Sequence, residues 1–164
     1  MGELVLGPLA AVDLDEVLEL NERSVPHVGS VNRTRLAAIV GEARLASVAR
    51  SADGALLGFV IALREGASYD SPNYRAFAER YERFLYVDRI AVAPSAHRGG
   101  LGRALYAEVF DVARSDDARR VTCEVNVVPP NPVSMAFHTS LGFTEVGRLV
   151  SPGGTVALLC AELG

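Results

Sequence analysis

Hydrophobic residues follow two different periods along this chain, and the period changes from one segment to the next. In several short segments apolar residues recur at every second position or form a continuous run, which predicts β-strands. These strands are predicted at residues 3–6, 44–50, 55–63, 85–92, 121–127, 144–150 and 155–161. Between them, apolar residues recur at spacings of three and four, which is typical of helices with one buried face. The helices are predicted to begin near Leu14, after Asn32 and at Ser71, and to cover residues 101–114 and 132–141.

Several predicted helix ends carry local signals of their own. Asp13 and Glu16 have the spacing of a capping box at the start of the first helix. Gly41 is predicted to end the second helix. Ser71 followed by a proline is typical of an N-cap and the first helical residue. Strands and helices therefore alternate along the chain, which predicts an α/β (α+β) domain.

The helix that begins at Ser71 carries a stripe of aromatic residues at helical spacing. The stripe consists of Tyr74, Phe77, Tyr81 and Phe84. Such a stripe is more often part of a hydrophobic core than of a ligand site. The alternative is a lid over a substrate with an apolar portion, in which Tyr74 would contact the substrate.

Length and composition narrow the class of protein. With 164 residues, of which 49% are hydrophobic, the chain can bury one sizeable core, so residues 1–164 are predicted to form a single domain. A net charge of −4 argues against nucleic-acid or membrane partners. Cys123 and Cys160 lack the spacing of a metal site, and no metal is predicted. Without an apolar targeting segment or membrane span, the protein is predicted to be cytoplasmic.

The segment between the strand at residues 85–92 and the helix at residues 101–114 carries the clearest chemical signal. Gly99, Gly100 and Gly102 lie where the strand turns into the helix. Glycines leave the backbone N–H groups open to a ligand, and the N-terminus of a helix attracts anions. The segment therefore predicts a cradle for a pyrophosphate, although a lone glycine-rich turn can also be purely structural.

This loop resembles the Arg/Gln-x-x-Gly-x-Gly/Ala signature of the GNAT acetyltransferase superfamily, with His97, Gly100 and Gly102 at its fixed positions. Residues 131–143 resemble a second segment of that family, Asn-x-x-Ala-x-x-x-Tyr-x-x-x-Gly-Phe. The resemblance implies a mixed, mostly antiparallel twisted sheet of about six to seven strands, flanked by four to five helices. It also implies a splay between two central parallel strands.

The same resemblance implies that acetyl-CoA is the cofactor. The strand end would bind the pantetheine arm through its backbone, the loop amides would hold the pyrophosphate, and Asn131 would lie near the thioester. The residues implied are Ile90, Ala91, Val92, His97, Arg98, Gly99, Gly100, Leu101, Gly102, Arg103 and Asn131. Because His97 replaces the usual arginine or glutamine, the charge beside the phosphates could come from a neighbouring arginine.

Acyl transfer to an amine needs a group that accepts the proton of the amine. Alternation along residues 121–127 places Glu124 on the face opposite the apolar one, which makes it a candidate base. Asp88 is a second candidate that could also bind substrate, but either carboxylate could instead form an ion pair with Arg89 or Arg119. His138 stands where the family has a tyrosine thought to protonate the leaving thiolate, so it is a candidate acid.

The acceptor is predicted to be a primary amine of a small molecule or a peptide. His27 follows the first helix in a region that often lines the acceptor pocket in the resembling family. The sequence leaves open whether the protein forms a homodimer. One alternative is a dinucleotide-binding enzyme, but Leu105 replaces the third glycine of that fingerprint. The other alternative is an acyl-CoA-binding sensor or interaction module without activity.

Overall fold

The computed structural model describes residues 3–164, which form one seven-stranded sheet with helices on both faces. The strands are β1 Leu4–Pro8, β2 Leu45–Ser51, β3 Leu56–Arg64, β4 Leu85–Val92, β5 Arg120–Val128, β6 Thr144–Ser151 and β7 Gly154–Glu162. The helices are α1 Leu14–Arg23, α2 Arg33–Glu42, α3 Pro72–Arg80, α4 Leu101–Ser115 and α5 Pro132–Ser140. Short 3₁₀ turns at Ala11–Asp13 and Pro94–Ala96 precede α1 and α4.

The strand order is β1-β2-β3-β4-β5-β7-β6, and all neighbouring pairs are antiparallel except β4 and β5. This parallel pair is short, because only Leu85 with Val121 and Tyr86 with Thr122 are in register. Beyond these residues β4 and β5 separate. The mixed, mostly antiparallel sheet predicted from the sequence is thus confirmed, and the gap between its two parallel strands opens at the sheet centre.

Each face of the sheet has its own hydrophobic core. One face is covered by α1, α2 and α3, which contribute residues such as Val17, Leu36 and Phe77. The opposite face is covered by α4, whose Leu105 and Val109 are fully buried, with α5 beside it. Burial of each such side chain contributes roughly 1.5–3 kcal/mol. Because both faces are covered, the central strands are apolar along most of their length, and the polar residues on β4 and β5 are exceptions that need an explanation.

Two of the predicted helix-end signals differ in the structure. α1 begins at Leu14 with Asp13 in the N-cap position, as predicted, but the Asp13 side chain makes no capping hydrogen bond to α1. Its carboxylate instead accepts a hydrogen bond from the Ala10 N–H at 2.8 Å and pairs with the Arg50 guanidinium at 2.7 Å. The second difference concerns α2, which was predicted to end at Gly41 but continues through it and ends at Glu42. Ser71 caps α3 as predicted, by accepting from the Tyr74 N–H.

The aromatic stripe extends beyond the helix that was predicted to carry it. The last residue of α3 is Arg80, so Tyr81 is already extended and Phe84 lies just before β4. Tyr74, Phe77 and Phe84 are nevertheless all buried in the core beneath α3. None of the helices within residues 3–164 is long and apolar enough to cross a membrane.

Candidate active site

The gap between β4 and β5 exposes backbone groups at the end of β4. The Ala93 N–H donates to the Leu57 carbonyl at 2.7 Å, which fixes the alternation of the β3–β4 ladder. By that alternation the backbone groups of Ala91 face β3, whereas those of Ile90 and Val92 face the gap. An extended ligand in the gap could therefore pair with Ile90 and Val92.

The glycine loop leads from the end of β4 into α4 and leaves amides free at the helix start. Gly100 has φ of 79°, a conformation that suits glycine, and immediately precedes the first helical residue. The Ala104 N–H donates to the Gly100 carbonyl at 3.0 Å. The amides of residues 101–103 come before this first helical hydrogen bond, so they point out of the helix end. Together with the helix dipole they form a site suited to an anion.

The side chains around this loop are packed closely. A Cβ atom at Gly102 would lie 3.0 Å from the Phe137 ring, so glycine lets α4 and α5 approach each other here. The Arg103 guanidinium donates to the Ser140 hydroxyl at 2.8 Å. His97 folds back from the loop, with its Nε2 donating to the Val92 carbonyl at 2.9 Å. His97 therefore meets the strand end, and its ring does not point at the helix N-terminus.

Two connected cavities occupy the gap. The larger one, about 510 Å³, runs along the end of β4 between the end of α1 and α5, and its lining is mainly apolar. The smaller one, about 250 Å³, reaches down between β4 and β5 and is more polar. Residues lining both cavities are His27, Val28, Ile90, Asn131, Ser134 and His138. The larger cavity thus leads from the free amides to a junction with the smaller one.

Glu124 lies in the smaller cavity, on the face of β5 that the sequence predicted. Its Oε1 accepts a hydrogen bond from the Tyr86 hydroxyl at 2.6 Å. Glu124 is half-buried, and its partial removal from water raises its pKa to about 8. The hydrogen bond from Tyr86 opposes the rise, and the negative charge of Asp88 adds to it. A carboxyl group with this pKa can accept a proton near neutral pH.

Asp88 and Arg89 form a buried ion pair beside Glu124. Arg89 Nε donates to Asp88 Oδ2 at 2.7 Å, and their side chains are 7% and 4% exposed. Asp88 is the extra residue of a β-bulge, since Val87 and Arg89 pair with consecutive residues of β3. The other Asp88 oxygen accepts from the Tyr69 hydroxyl at 2.5 Å. Of the alternatives left open by the sequence, the ion pair with Arg89 is present.

His138 is buried where the two cavities meet. Its Nδ1 lies 2.8 Å from the Ser134 carbonyl, which can only accept, so Nδ1 carries a proton. Its Nε2 lies 2.7 Å from the Tyr106 hydroxyl of α4. In the neutral ring, Nε2 therefore accepts from Tyr106. Burial lowers the pKa of His138, and the hydrogen bond to Ser134 opposes this.

The remaining candidate residues differ in their relation to the cavities. Asn131 caps α5 by accepting from the Ser134 N–H at 3.3 Å, and it also lines both cavities. His27 lines both as well, on a loop that Asn126 Nδ2 holds by donating to the Pro26 carbonyl at 2.8 Å. Tyr74 lies outside both, and its hydroxyl donates to the Arg64 carbonyl at 2.6 Å. Its position therefore agrees with the core interpretation of the aromatic stripe.

The sequence model of the acetyltransferase (GNAT) family matches residues 14–143 of this chain. The chain belongs to the GNAT acetyltransferase family. The matched residues run from α1 to the end of α5 and just beyond, and they include the glycine loop and Glu124. Among residues 3–164 of this GNAT chain, no three histidine, cysteine, aspartate or glutamate side chains are grouped to hold a metal ion.

Relatives of this GNAT chain include enzymes with different acceptors. It is 35% identical over 85 residues to the phosphinothricin N-acetyltransferase of Streptomyces coelicolor, and the match covers 50% of this chain and 45% of that protein. The match thus spans about half the length of the curated relative. Its fold is similar to that of the ribosomal-protein-S18-alanine N-acetyltransferase from Escherichia coli, with a TM-score of 0.73 and 20% identity, covering 98% of this chain and 94% of that one.

A third relative was solved with a cofactor-derived ligand. The structure of Arabidopsis thaliana Naa50 in complex with the bisubstrate analogue CoA-Ac-MVNAL has a TM-score of 0.75 and 14% identity, covering 98% of this chain and 99% of that chain. At these low identities the two structural similarities show the shared fold.

Sequence reasoning missed two tyrosines of this GNAT site, Tyr86 and Tyr106. Tyr86 lies two residues before Asp88 on β4 and hydrogen-bonds to the predicted base, so its place on that strand was an available signal. Tyr106 is fully buried on α4, and the helical spacing of that segment gave no sign of its contact with His138, which is 32 residues away along the chain.

Proposed function

We propose that this protein transfers an acetyl group from acetyl-CoA to a primary amine of a small molecule or a peptide. The observation that carries the proposal is the position of Glu124, a carboxyl group with a pKa of about 8 in a cavity that joins the groove leading to the glycine loop. An anion site at a helix start and a proton acceptor at a connected cavity are what this reaction requires.

The residues of the larger cavity fit a coenzyme A thioester. The free amides of residues 101–103 would hold the pyrophosphate, and the backbone groups of Ile90 together with the Val92 N–H would pair with the pantetheine arm. Gly102 lies close to Phe137 and has no side chain, so no side chain at this position enters the groove at the helix start. When bound, acetyl-CoA supplies an activated acetyl group as a thioester.

The residues of the smaller cavity would act on the amine. Glu124 would accept the proton of the attacking amine, directly or through water, so that nitrogen can form a bond to the acetyl carbon as the carbon–sulfur bond breaks. Once ionised, the Glu124 carboxylate would also make the cavity favourable to a cationic amine before that amine loses its proton. A cytoplasmic location is also proposed. Cys123 and Cys160 are both buried free thiols, and free thiols are typical of a reducing compartment such as the cytoplasm.

The proposal is tested first by calorimetric titration with acetyl-CoA, with NAD as a parallel control. Saturable binding of acetyl-CoA at one site, without binding of NAD, is expected. An acceptor screen then compares phosphinothricin with peptides that begin with alanine or methionine, the acceptors suggested by the relatives. Binding without turnover of any amine would identify an acyl-CoA-binding module, and absence of binding would refute the acyltransferase proposal.

A substitution at Gly102 is expected to impair binding of acetyl-CoA without unfolding the protein. In Gly102→Val, the new side chain would meet Phe137 and crowd the amides at the start of α4, so we expect affinity to fall by about tenfold or more. The measurement is calorimetric titration alongside thermal unfolding. Gly41→Ala is the matched control, because a Cβ at this helical glycine has no neighbour within 4 Å. Unchanged affinity in Gly102→Val would place the cofactor elsewhere.

A further inference from the structure

Both ring nitrogens of His138 are engaged, which limits what the ring can do. Nδ1 donates to the Ser134 carbonyl at 2.8 Å, and Nε2 is 2.7 Å from the Tyr106 hydroxyl. An imidazole has only these two sites for a proton. His138 therefore has no free nitrogen with which to contact a leaving group in the cavity, although it stands at the position where the family resemblance implies an acid.

Tyr106 is placed to supply the proton donor that His138 cannot. It comes from α4, on the opposite side of His138 from Ser134, and it lines the smaller cavity together with Glu124 and Cys123. The ring is held in the core by Phe110, Phe137 and Phe143, with centroid distances of 5.6–6.1 Å. The hydroxyl position is thus fixed by packing, and only the direction of its O–H bond can change.

That direction depends on the charge of His138. When the ring is neutral, Nε2 accepts and the Tyr106 O–H points at it. When the ring is protonated, Nε2 donates to the Tyr106 oxygen, and the Tyr106 O–H is released to another acceptor. A single proton on His138 therefore decides whether the hydroxyl can donate into the cavity.

We propose that the Tyr106 hydroxyl is the group that donates to the leaving sulfur, and that His138 acts through Tyr106. The inference rests on the proposed function. As the carbon–sulfur bond breaks, sulfur takes the bonding pair and accepts the Tyr106 proton. The Tyr106 oxygen takes the Nε2 proton of His138, which becomes neutral, and solvent later returns a proton to His138. The observed hydrogen bonds correspond to the state after this transfer.

Other titratable groups face the pair from the surrounding elements. β5 contributes Cys123 and Glu124, β4 contributes Asp88 and Arg89, and the loop after α1 contributes His27. Desolvation raises the pKa of Cys123 well above its usual value, so this thiol stays protonated. Glu124 titrates near the pH of an assay, which makes a pH profile of turnover alone ambiguous. The test therefore needs a binding measurement.

The experiment compares binding of CoA with binding of desulfo-CoA, which lacks the sulfur, as a function of pH. A hydroxyl that donates to sulfur stabilises the thiolate of bound CoA and so lowers the pKa of its thiol. The affinity for CoA relative to desulfo-CoA should therefore rise with pH, with a midpoint below the pKa of the free thiol. In Tyr106→Phe we expect this midpoint to move up by about one pH unit, with desulfo-CoA affinity within about twofold of the original. In His138→Phe the hydroxyl is still present and has lost Nε2 as a competing acceptor, so the midpoint should not rise.

Turnover of acetyl-CoA with an amine found by the acceptor screen provides the second measurement. If the two residues act in series, both single variants lose activity and the double variant loses no more than the worse of them. Tyr81→Phe is the matched control, since its hydroxyl lies outside both cavities. An unchanged midpoint in Tyr106→Phe, or an upward shift only in His138→Phe, would overturn the proposal. If the unmodified protein failed to bind desulfo-CoA, the proposed function would fail, and this inference with it.

Discussion

Glu124→Gln is expected to remove most of the turnover while making the folded protein more stable. The amide keeps the shape of the side chain but cannot accept a proton from the amine, and loss of a general base costs about 10²-fold or more. Because a protonated Glu124 is also inactive as a base, kcat/KM of the unmodified enzyme should rise as Glu124 ionises, with the midpoint of the rise near pH 8. The variant should lack this rise. The measurement is a pH profile of kcat/KM.

The gain in stability follows from the sign of the pKa shift. The folded protein binds a proton at Glu124 more tightly than the unfolded chain, in which the pKa is near its ordinary value of 4.5. The free energy of unfolding should therefore fall as pH rises from about 4.5 to about 8. Glutamine does not titrate, so the variant avoids this loss. We expect it to be more stable by roughly 1–3 kcal/mol at pH 8, an amount reduced from the full shift by solvent in the cavity.

In Glu124→Gln turnover should fall while stability rises, and this combination separates a catalytic role from structural damage. Urea unfolding at pH 5 and pH 8 measures the stability of both proteins. Glu79→Gln, on the exposed side of α3, is the control and should change neither activity nor stability measurably. Loss of activity together with loss of stability would indicate a distorted site. Full activity with an unchanged pH profile would remove Glu124 from the mechanism.

The sequence predicted those parts of the site that depend on local periodicity. Alternation along β5 placed Glu124 opposite the apolar face, and the glycines placed the free amides at the start of α4. The strands and helices themselves follow from neighbours in the chain, because helix and strand periods differ. The mixed, mostly antiparallel arrangement of the sheet was instead implied by the resemblance to the GNAT family.

Contacts between distant segments could not be predicted in this way. The bulge that turns Asp88 toward Arg89 depends on how β3 pairs with β4, and no residue type in this segment indicates a bulge. His97 matched the position of a phosphate contact, yet its ring reaches the strand end instead. Tyr106 had the spacing of a core residue and is one, while its hydroxyl meets His138 across two helices. Function here depends on polar atoms at the ends of buried side chains, which periodicity does not report.

Asp88→Asn is expected to destabilise the protein by about 3 kcal/mol. The carboxylate accepts from both the Tyr69 hydroxyl and Arg89 Nε, whereas an amide can offer its oxygen to only one of them. The amide NH₂ would then face the other donor. The Arg89 guanidinium would also stay buried without a counter-charge, which is costly in a low-dielectric surrounding. Urea unfolding at constant pH measures the loss.

A matched control and a double variant isolate the buried ion pair. Asp15→Asn removes an equivalent charge from the exposed pair with Arg33, whose side chains are 81% and 55% exposed, and should cost less than about 1 kcal/mol. Asp88→Asn combined with Arg89→Met removes both buried charges and should cost less than the sum of the single changes. Additive losses would show that the two side chains do not stabilise each other.

The same substitution should also change binding of the acceptor. Arg89 Nη1 donates to the Asn21 side chain and the Gly29 carbonyl at 2.9 and 3.0 Å, so it fastens the loop that carries His27 over both cavities. Loss of Asp88 frees Arg89 and loosens this loop. We therefore expect Asp88→Asn to raise KM for the amine more than it lowers kcat, the reverse of Glu124→Gln. A fall in kcat alone would mean that Asp88 acts on the reaction itself, because loosening of the loop alone should weaken binding.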